Sequence, residues 1–235
     1  MSKTKLPTIN YWPAFSDVAI SLFFIVMVAL VFQLMKINFD REIEDEMQKR
    51  FYLFQEKMKD QELTRLGMEQ GEIKVKRDGF DIKVSFGANV LFDTMQKDLK
   101  ENGLNLMNAF TKILLQMYNN RSSDILPEIQ VEGHTDSKSI AAGYSNLFPS
   151  NWELSSARAI TVVKFIQTSG IEPDENHKRL LSARGFNAYD YVAKEKDSKG
   201  EVVPGSEDLN RRIDIILHYE KEKIKNYLDT KMFNQ

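Results

Sequence analysis

Hydrophobic positions divide the chain into three regimes. From Ala14 to Met35 apolar residues run almost unbroken, as AFSDVAISLFFIVMVALVFQLM. A helical period follows, in which Phe39, Ile43, Met47, Phe51, Phe54 and Met58 recur at spacings of four or three with acids and bases between them. From Glu72 the period shortens to two. Ile73 and Val75, then Phe80, Ile82 and Val84, alternate with polar residues around Arg77-Asp78-Gly79, which predicts two strands joined by an Asp-Gly turn.

The first regime is long enough to cross a bilayer. At 1.5 Å per residue it makes a helix of roughly 33 Å, against a hydrocarbon core of about 30 Å. It contains neither Gly nor Pro, and Asp17 is its one ionisable residue. Tyr11 and Trp12 suit the membrane interface, and Pro13 suits a first helical turn, where its missing donor costs nothing. Lys3 and Lys5 resemble the start of a signal peptide. The apolar run is too long for one, however, and Gln33-Leu34-Met35-Lys36 offers no small-x-small cleavage site, so a retained anchor is expected. Basic residues do not orient it, because Lys36, Arg41, Lys49 and Arg50 follow the span as Lys3 and Lys5 precede it.

The amphipathic stripe predicts a stalk helix from the membrane to about Leu66, with no turn residue before Gly67. Its narrow apolar face fits either packing on the chain's own domain or pairing between two copies. Beyond the hairpin, Phe86 to Phe92 leads into a helix over Leu99–Met117, with Leu104, Met107, Phe110, Leu114 and Met117 on one face. A strand over Glu128–Gly133, a long polar loop over 134–150 and a helix over Leu154–Thr168 follow, the helix stopped by Gly170. Strands at Leu180–Arg184 and Arg211–Tyr219 flank a charged loop at 194–208. The predicted organisation is a polar start (1–13), a transmembrane helix (14–35), a stalk (36–70), a folded domain (71–220) and a tail without an evident element (221–235). The class is α+β, a sandwich of helices on a mixed sheet behind an N-terminal membrane helix.

Composition narrows the chemistry. The 235 residues carry a formal charge of -2, which argues against a broad nucleic-acid surface. With no cysteine, disulfides, thiolate metal sites and cysteine nucleophiles are excluded. His134 has no spacing to His177 or His218 that suggests a metal cluster, so it is expected to support its loop by hydrogen bonds and no metal or cofactor is predicted. Asp136 with Glu153 is a candidate carboxylate pair for glycoside hydrolysis, but nothing in the sequence fixes their separation, and no enzyme is predicted.

Three segments carry a resemblance. Val131-Glu132-Gly133-His134-Thr135-Asp136, Asn151-Trp152-Glu153-Leu154-Ser155-Ser156-Ala157-Arg158-Ala159 and Asn210-Arg211-Arg212-Ile213-Asp214-Ile215 resemble, in order, the motifs of the OmpA-like peptidoglycan-binding domain. The Asn-Trp-Glu-Leu-Ser form, with Trp12-Pro13-Ala14-Phe15-Ser16-Asp17 at the head of the span, resembles the MotB/ZorB family of stator B subunits. That resemblance implies that Asp136 and Arg158 hold the ammonium and carboxylate of a diaminopimelate residue in the peptidoglycan stem peptide. Thr135 and Asn151 are candidate pocket residues, with Arg212 as a further one. A zwitterion needs an anion and a cation at fixed separation, and guanidinium grips carboxylate through parallel donors. Asn151 or Ser150 is the candidate cap of the helix bearing Arg158. The loop from Ser137 to Pro149 is longer than in the simplest members, which bears on the pocket's shape.

The same resemblance makes Asp17, with Ser21 one turn on, a carrier of protons or sodium ions. An acid in a membrane helix needs a partner or a water-filled path. It further implies a homodimer, a pentameric MotA/ZorA-like membrane partner and cytosolic effector proteins, with the N-terminus cytoplasmic and the domain facing the cell wall. The 36–70 spacer is short for a flagellar plug and linker, which points to a phage-defence setting of the ZorB kind. A flagellar stator and a passive tether between membrane and wall are the alternatives. Asp136 with Arg158 as an internal salt bridge, and Arg211-Arg212 as a solvated strand edge, are the structural alternatives at the site.

Overall fold

A computed structural model describes residues 12–59, 63, 72–119, 125–172 and 180–233. One helix, α1, runs from Trp12 to Met58 over 47 residues. It belongs to two compact units that divide between Glu46 and Met47. In the first unit the side chains from Val18 to Ile37 are exposed, including Phe23, Phe24, Phe32 and Leu34. Apolar surface of that extent has no place in water, and among the described residues this is the one helix long and apolar enough to cross a membrane. Among the described residues the chain therefore has a single membrane-spanning helix, near its N-terminus.

The second unit begins with the end of α1. Met47, Phe54 and Met58 are fully buried there. Arg77 Nη1 donates to Gln48 Oε1 at 2.9 Å and Lys57 Nζ to Gln116 Oε1 at 3.0 Å. The Arg50 guanidinium lies 5.9 Å from the ring of Tyr219 and 5.6 Å from that of Tyr227, within range of cation–π attraction. Of the two readings of the stripe, packing on the chain's own domain holds for this stretch. The predicted continuation to Leu66 falls mostly outside the described residues.

The domain proper follows the predicted order. Strands β1 (Ile73–Asp78) and β2 (Asp81–Gly87) form the hairpin, and Gly79 takes the positive φ of +56° that its turn requires. A short helix α2 (Ala88–Leu91) leads to α3 (Glu101–Asn119), then β3 (Glu128–Gly133), α4 (Asn151–Thr168) and β4 (Leu181–Gly185). The long loop holds one 3-10 turn, Ala142–Tyr144. The charged loop ends in a helix the sequence reading missed, α5 (Ser206–Asn210), before β5 (Arg212–His218). The tail, read as featureless, is helical: α6 spans Lys221–Phe233, with Ile224 buried.

The sheet order is β1-β2-β5-β3-β4, antiparallel throughout except for the parallel β3–β4 pair that α4 connects. Alternation sorts its faces. Ile82, Val84 and Phe86 of β2, Ile129 and Val131 of β3, and Ile213, Ile215 and Leu217 of β5 are all fully buried. Leu106, Phe110 and Leu114 of α3 and Val162 and Ile166 of α4 are buried with them, and Phe86 meets Phe110 edge-to-face at 5.2 Å. Each such side chain contributes about 1.5–3 kcal/mol by leaving water, so this layer dominates stability. The opposite face carries the interleaved polar residues, among them Lys83, Ser85, Glu132 and Asp214.

Candidate functional site

The site forms where β3 and β4 end beneath the first turns of α4. Gly133 and Gly185 are partners in register across these strands. A Cβ at Gly133 would stand 2.0 Å from the Ser155 carbonyl oxygen, and one at Gly185 2.2 Å from Ser156 Oγ. Two glycines on the sheet and two serines on the helix thus bring backbone against backbone. This close approach sets the start of α4 beside the loop that leaves β3. Ser150 is the cap: its Oγ accepts from the Trp152 N–H at 3.1 Å and donates to Glu153 at 2.5 Å, holding the Glu153 carboxyl below its usual range. Asn151 does another job, donating to the carbonyls of Asp136 at 3.2 Å and Lys138 at 2.8 Å.

Asp136 is largely buried, 7% exposed. Its Oδ1 accepts from the Lys138 N–H at 3.2 Å, and its Oδ2 is paired with Arg211 Nη1. Arg158 is 5% exposed. Its Nε donates to the Gln96 carbonyl at 2.9 Å and its Nη2 to the Asp93 carbonyl at 3.3 Å, with the guanidinium 5.0 Å from the Phe92 ring. Burial and the nearby Arg211 charge pull Arg158 down to about 10, partly offset by Asp136, so it stays cationic at neutral pH. An anion and two cations therefore share one small volume. Asp136 is not in a direct salt bridge with Arg158; Arg211 takes that place. Thr135, 4% exposed, donates its N–H to the Asn187 carbonyl at 2.9 Å, and its hydroxyl has no hydrogen-bond partner.

Arg211 went unassigned in the sequence reading, although a signal for it existed. If Ile213 and Ile215 face the helices, period two sends Arg212 and Asp214 to the opposite face. Arg212 duly donates to Asp214 Oδ2 at 3.0 Å and to Asp190 Oδ2 at 3.0 Å, engaged away from Asp136 and Arg158. Arg211, one residue earlier, reaches Asp136 and Asp208. The Arg211-Arg212 pair is thus not a plain solvated edge.

The expectation for His134 needs correction. It does not hydrogen-bond its loop: both ring nitrogens are buried without a hydrogen-bond partner, and the ring stacks on Phe186 at 5.1 Å. Asp17 and Ser21 lie exposed on one face of α1, four residues apart.

The long loop after Asp136 is pinned at its start. The Ser137 N–H donates to Glu195 at 3.1 Å, and Lys138 pairs with Glu207. Glu195 also accepts from Asn210 Nδ2 at 2.9 Å. Burial raises the Glu195 pKa, but these bonds from Ser137 and Asn210 outweigh it and leave the carboxyl below its usual range.

Residues 91–201 match the model of the OmpA family. Over 152 residues, 65% of this chain and 54% of the other, the sequence is 32% identical to YtxE of Bacillus subtilis strain 168, described as uncharacterized. The chain thus spans about half the length of that curated relative. Among solved structures, a MotB-like protein from Desulfovibrio vulgaris superposes with a TM-score of 0.61 at 20% identity, covering 77% of this chain and 98% of that one. The cell wall anchor of the T6SS from Pseudomonas aeruginosa gives 0.50 at 20%, covering 65% and 92%. The periplasmic domain of Helicobacter pylori MotB gives 0.50 at 18%, covering 71% and 93%. The fold is that of an OmpA-like domain in the form MotB proteins carry, set behind a membrane-spanning helix.

Proposed function

We propose that this chain is a peptidoglycan-anchored B subunit of an ion-driven membrane stator of the MotB kind. The convergence of Asp136, Arg158 and Arg211 beneath the start of α4 carries the reading. Arg158 spends its Nε and one Nη2 donor on carbonyls, which leaves Nη1 for a ligand carboxylate. Asp136 exchanges Arg211 for a ligand ammonium. Together they suit the zwitterionic end of a diaminopimelate side chain in the stem peptide, with Thr135 and Asn151 at the rim. The domain then faces the periplasm or cell wall and the N-terminus the cytoplasm.

In this reading two copies are held still by the wall while a pentameric MotA/ZorA-like ring turns around their helices. Asp17, with Ser21, passes protons or sodium ions, and one charge crossing 100 mV releases about 2.3 kcal/mol. The likenesses to a MotB-like protein and to a MotB periplasmic domain support a flagellar-type stator better than a phage-defence subunit coupled to cytosolic effectors.

The test has two arms. Full-length protein in detergent is expected to co-sediment with purified sacculi and to be competed off by free stem peptide. Asp136→Asn and Arg158→Ala should each weaken retention by about tenfold or more, the loss of one charge-assisted contact. Undiminished retention in both variants overturns the anchor. In cells, Asp17→Asn should assemble at the membrane and lose ion-driven function; full function in that variant sinks the carrier role.

A further inference from the structure

On the sheet face away from the helices, Glu132 of β3 and Asp214 of β5 are direct cross-strand partners. Both are buried, 5% and 0% exposed. Like charges placed opposite each other destabilise a sheet unless something neutralises them. Asp214 has help: Arg212 at 3.0 Å and Lys83 at 3.2 Å both reach its Oδ2. Glu132 has none of that kind. Among the described residues its hydrogen-bond partner is Gln130, and it has no Lys or Arg in an ion pair.

His134 stands over this pair. It is 1% exposed, and neither ring nitrogen has a hydrogen-bond partner. Its Nε2 lies 3.7 Å from Glu132 Oε2 and 3.5 Å from Asp214 Oδ2, and its Nδ1 lies 3.6 Å from Asp190 Oδ2. These separations are too long for hydrogen bonds. Elsewhere in the same chain a histidine and a carboxylate do close: His218 Nδ1 and Asp81 Oδ1 are 2.6 Å apart. An ion held at about 2.1 Å by nitrogen and oxygen donors in a tetrahedron keeps those donors about 3.4 Å apart. One ligand atom from each of Glu132, His134, Asp190 and Asp214 lies within 4.8 Å of the others.

We propose that His134 Nε2, Glu132 and Asp214 bind a zinc-class divalent cation. Asp190 sits on the other ring nitrogen. At 3.6 Å it is not yet hydrogen-bonded; closing on Nδ1–H when Nε2 ligates would fix the tautomer, the usual arrangement behind a metal-bound histidine. Solvent completes the fourth position, since Glu132, Asp190 and Asp214 line an open cleft of about 1020 Å³ on this face. Three carboxylates against Arg212 and Lys83 leave one net negative charge, which favours a cation there. A nitrogen donor among oxygens favours zinc, or cobalt in its place, over calcium and magnesium. The ion would tie β3 to β5 directly beneath Thr135 and Asp136, so it rigidifies the loop that carries the wall-binding carboxylate. The set is invisible to sequence spacing because its ligands come one or two at a time from the end of β3, from β5 and from the 190 loop.

The test uses tag-free full-length protein in detergent, stripped with chelator. Cobalt(II) is titrated and followed by its visible d–d absorption, and zinc(II) by competition against a chromophoric chelator. One equivalent per chain with tetrahedral-type absorption, and a higher melting temperature with zinc, are expected. His134→Gln should abolish binding, and Glu132→Gln serves as the second variant should the first fail to fold. Asp190→Asn should weaken affinity about 10- to 100-fold without abolishing it. Asp136→Asn should bind metal normally, which separates this site from the wall-binding reading. Absence of saturable binding, or equal binding in folded His134→Gln or Glu132→Gln, overturns the proposal.

Discussion

At the scale of single residues, the site turns on what each guanidinium already holds. Arg158 is anchored by two carbonyls of the 93–96 turn and by the Phe92 ring before any ligand arrives. This pre-orders the fork, so a ligand carboxylate meets donors already aimed. Lysine would keep the charge but lose the planar fork and one of the two carbonyl bonds. Arg158→Lys should therefore destabilise the domain by about 1–2 kcal/mol in urea unfolding and weaken stem-peptide binding at least as much as that. Retained affinity would mean that charge alone suffices there. Asp136 and Arg158 were legible because they stand inside recognisable motifs. The Arg211–Asp136 pair was not, because nothing in sequence says which of two adjacent arginines turns toward the helices until the facing of β5 is worked through. His134 was misjudged for a related reason: its neighbours lie across the sheet and not along the chain.

At the scale of elements, the strand and helix pattern was legible to within a few residues, since alternation and amphipathic spacing report burial directly. The helices it missed, α2, α5 and α6, are short or largely polar, and their periodicity is too weak to register. α5 nevertheless matters. Through Asn210 it anchors the 190–195 segment by accepting from the N–H groups of Val192 and Ala193 and donating to the Ala193 carbonyl. Glu195 then links α5 to the start of the 137–149 loop. Its folded-state pKa lies below the unfolded value of about 4.3. The contribution of this link is thus complete above the unfolded pKa and is lost as pH falls through the lower folded one. The amide-exchange protection factor of the 137–149 loop should be high near neutrality and fall below about pH 4.3, with limited proteolysis by an acid protease rising in step. Glu195→Gln should remove most of that pH dependence. Equal acid sensitivity in the variant would place the switch elsewhere.

At the scale of the molecule, the sequence drew its boundary at residue 70, while the compact unit begins at Met47. The stripe that suggested a stalk could not say what it packs on, because hydrophobic spacing identifies a buried face without naming its partner. Here that face is satisfied within one chain over its last three turns, beside the Arg50 contacts to Tyr219 and Tyr227. The 47–58 stretch is then either part of the domain's cooperative core or a tether lying against it. The two cases differ in a measurable way. Phe54 is 1% exposed, and truncating a buried phenylalanine of a cooperative core costs about 3–5 kcal/mol. Phe54→Ala should therefore lower the unfolding midpoint of the whole domain, read by the fluorescence of Trp152 on α4. Trp12, the chain's other tryptophan, stands at the head of the span, outside this unit. If the 47–58 stretch were only a tether, the Trp152 signal would keep its midpoint and the change would be confined to local fraying of the helix.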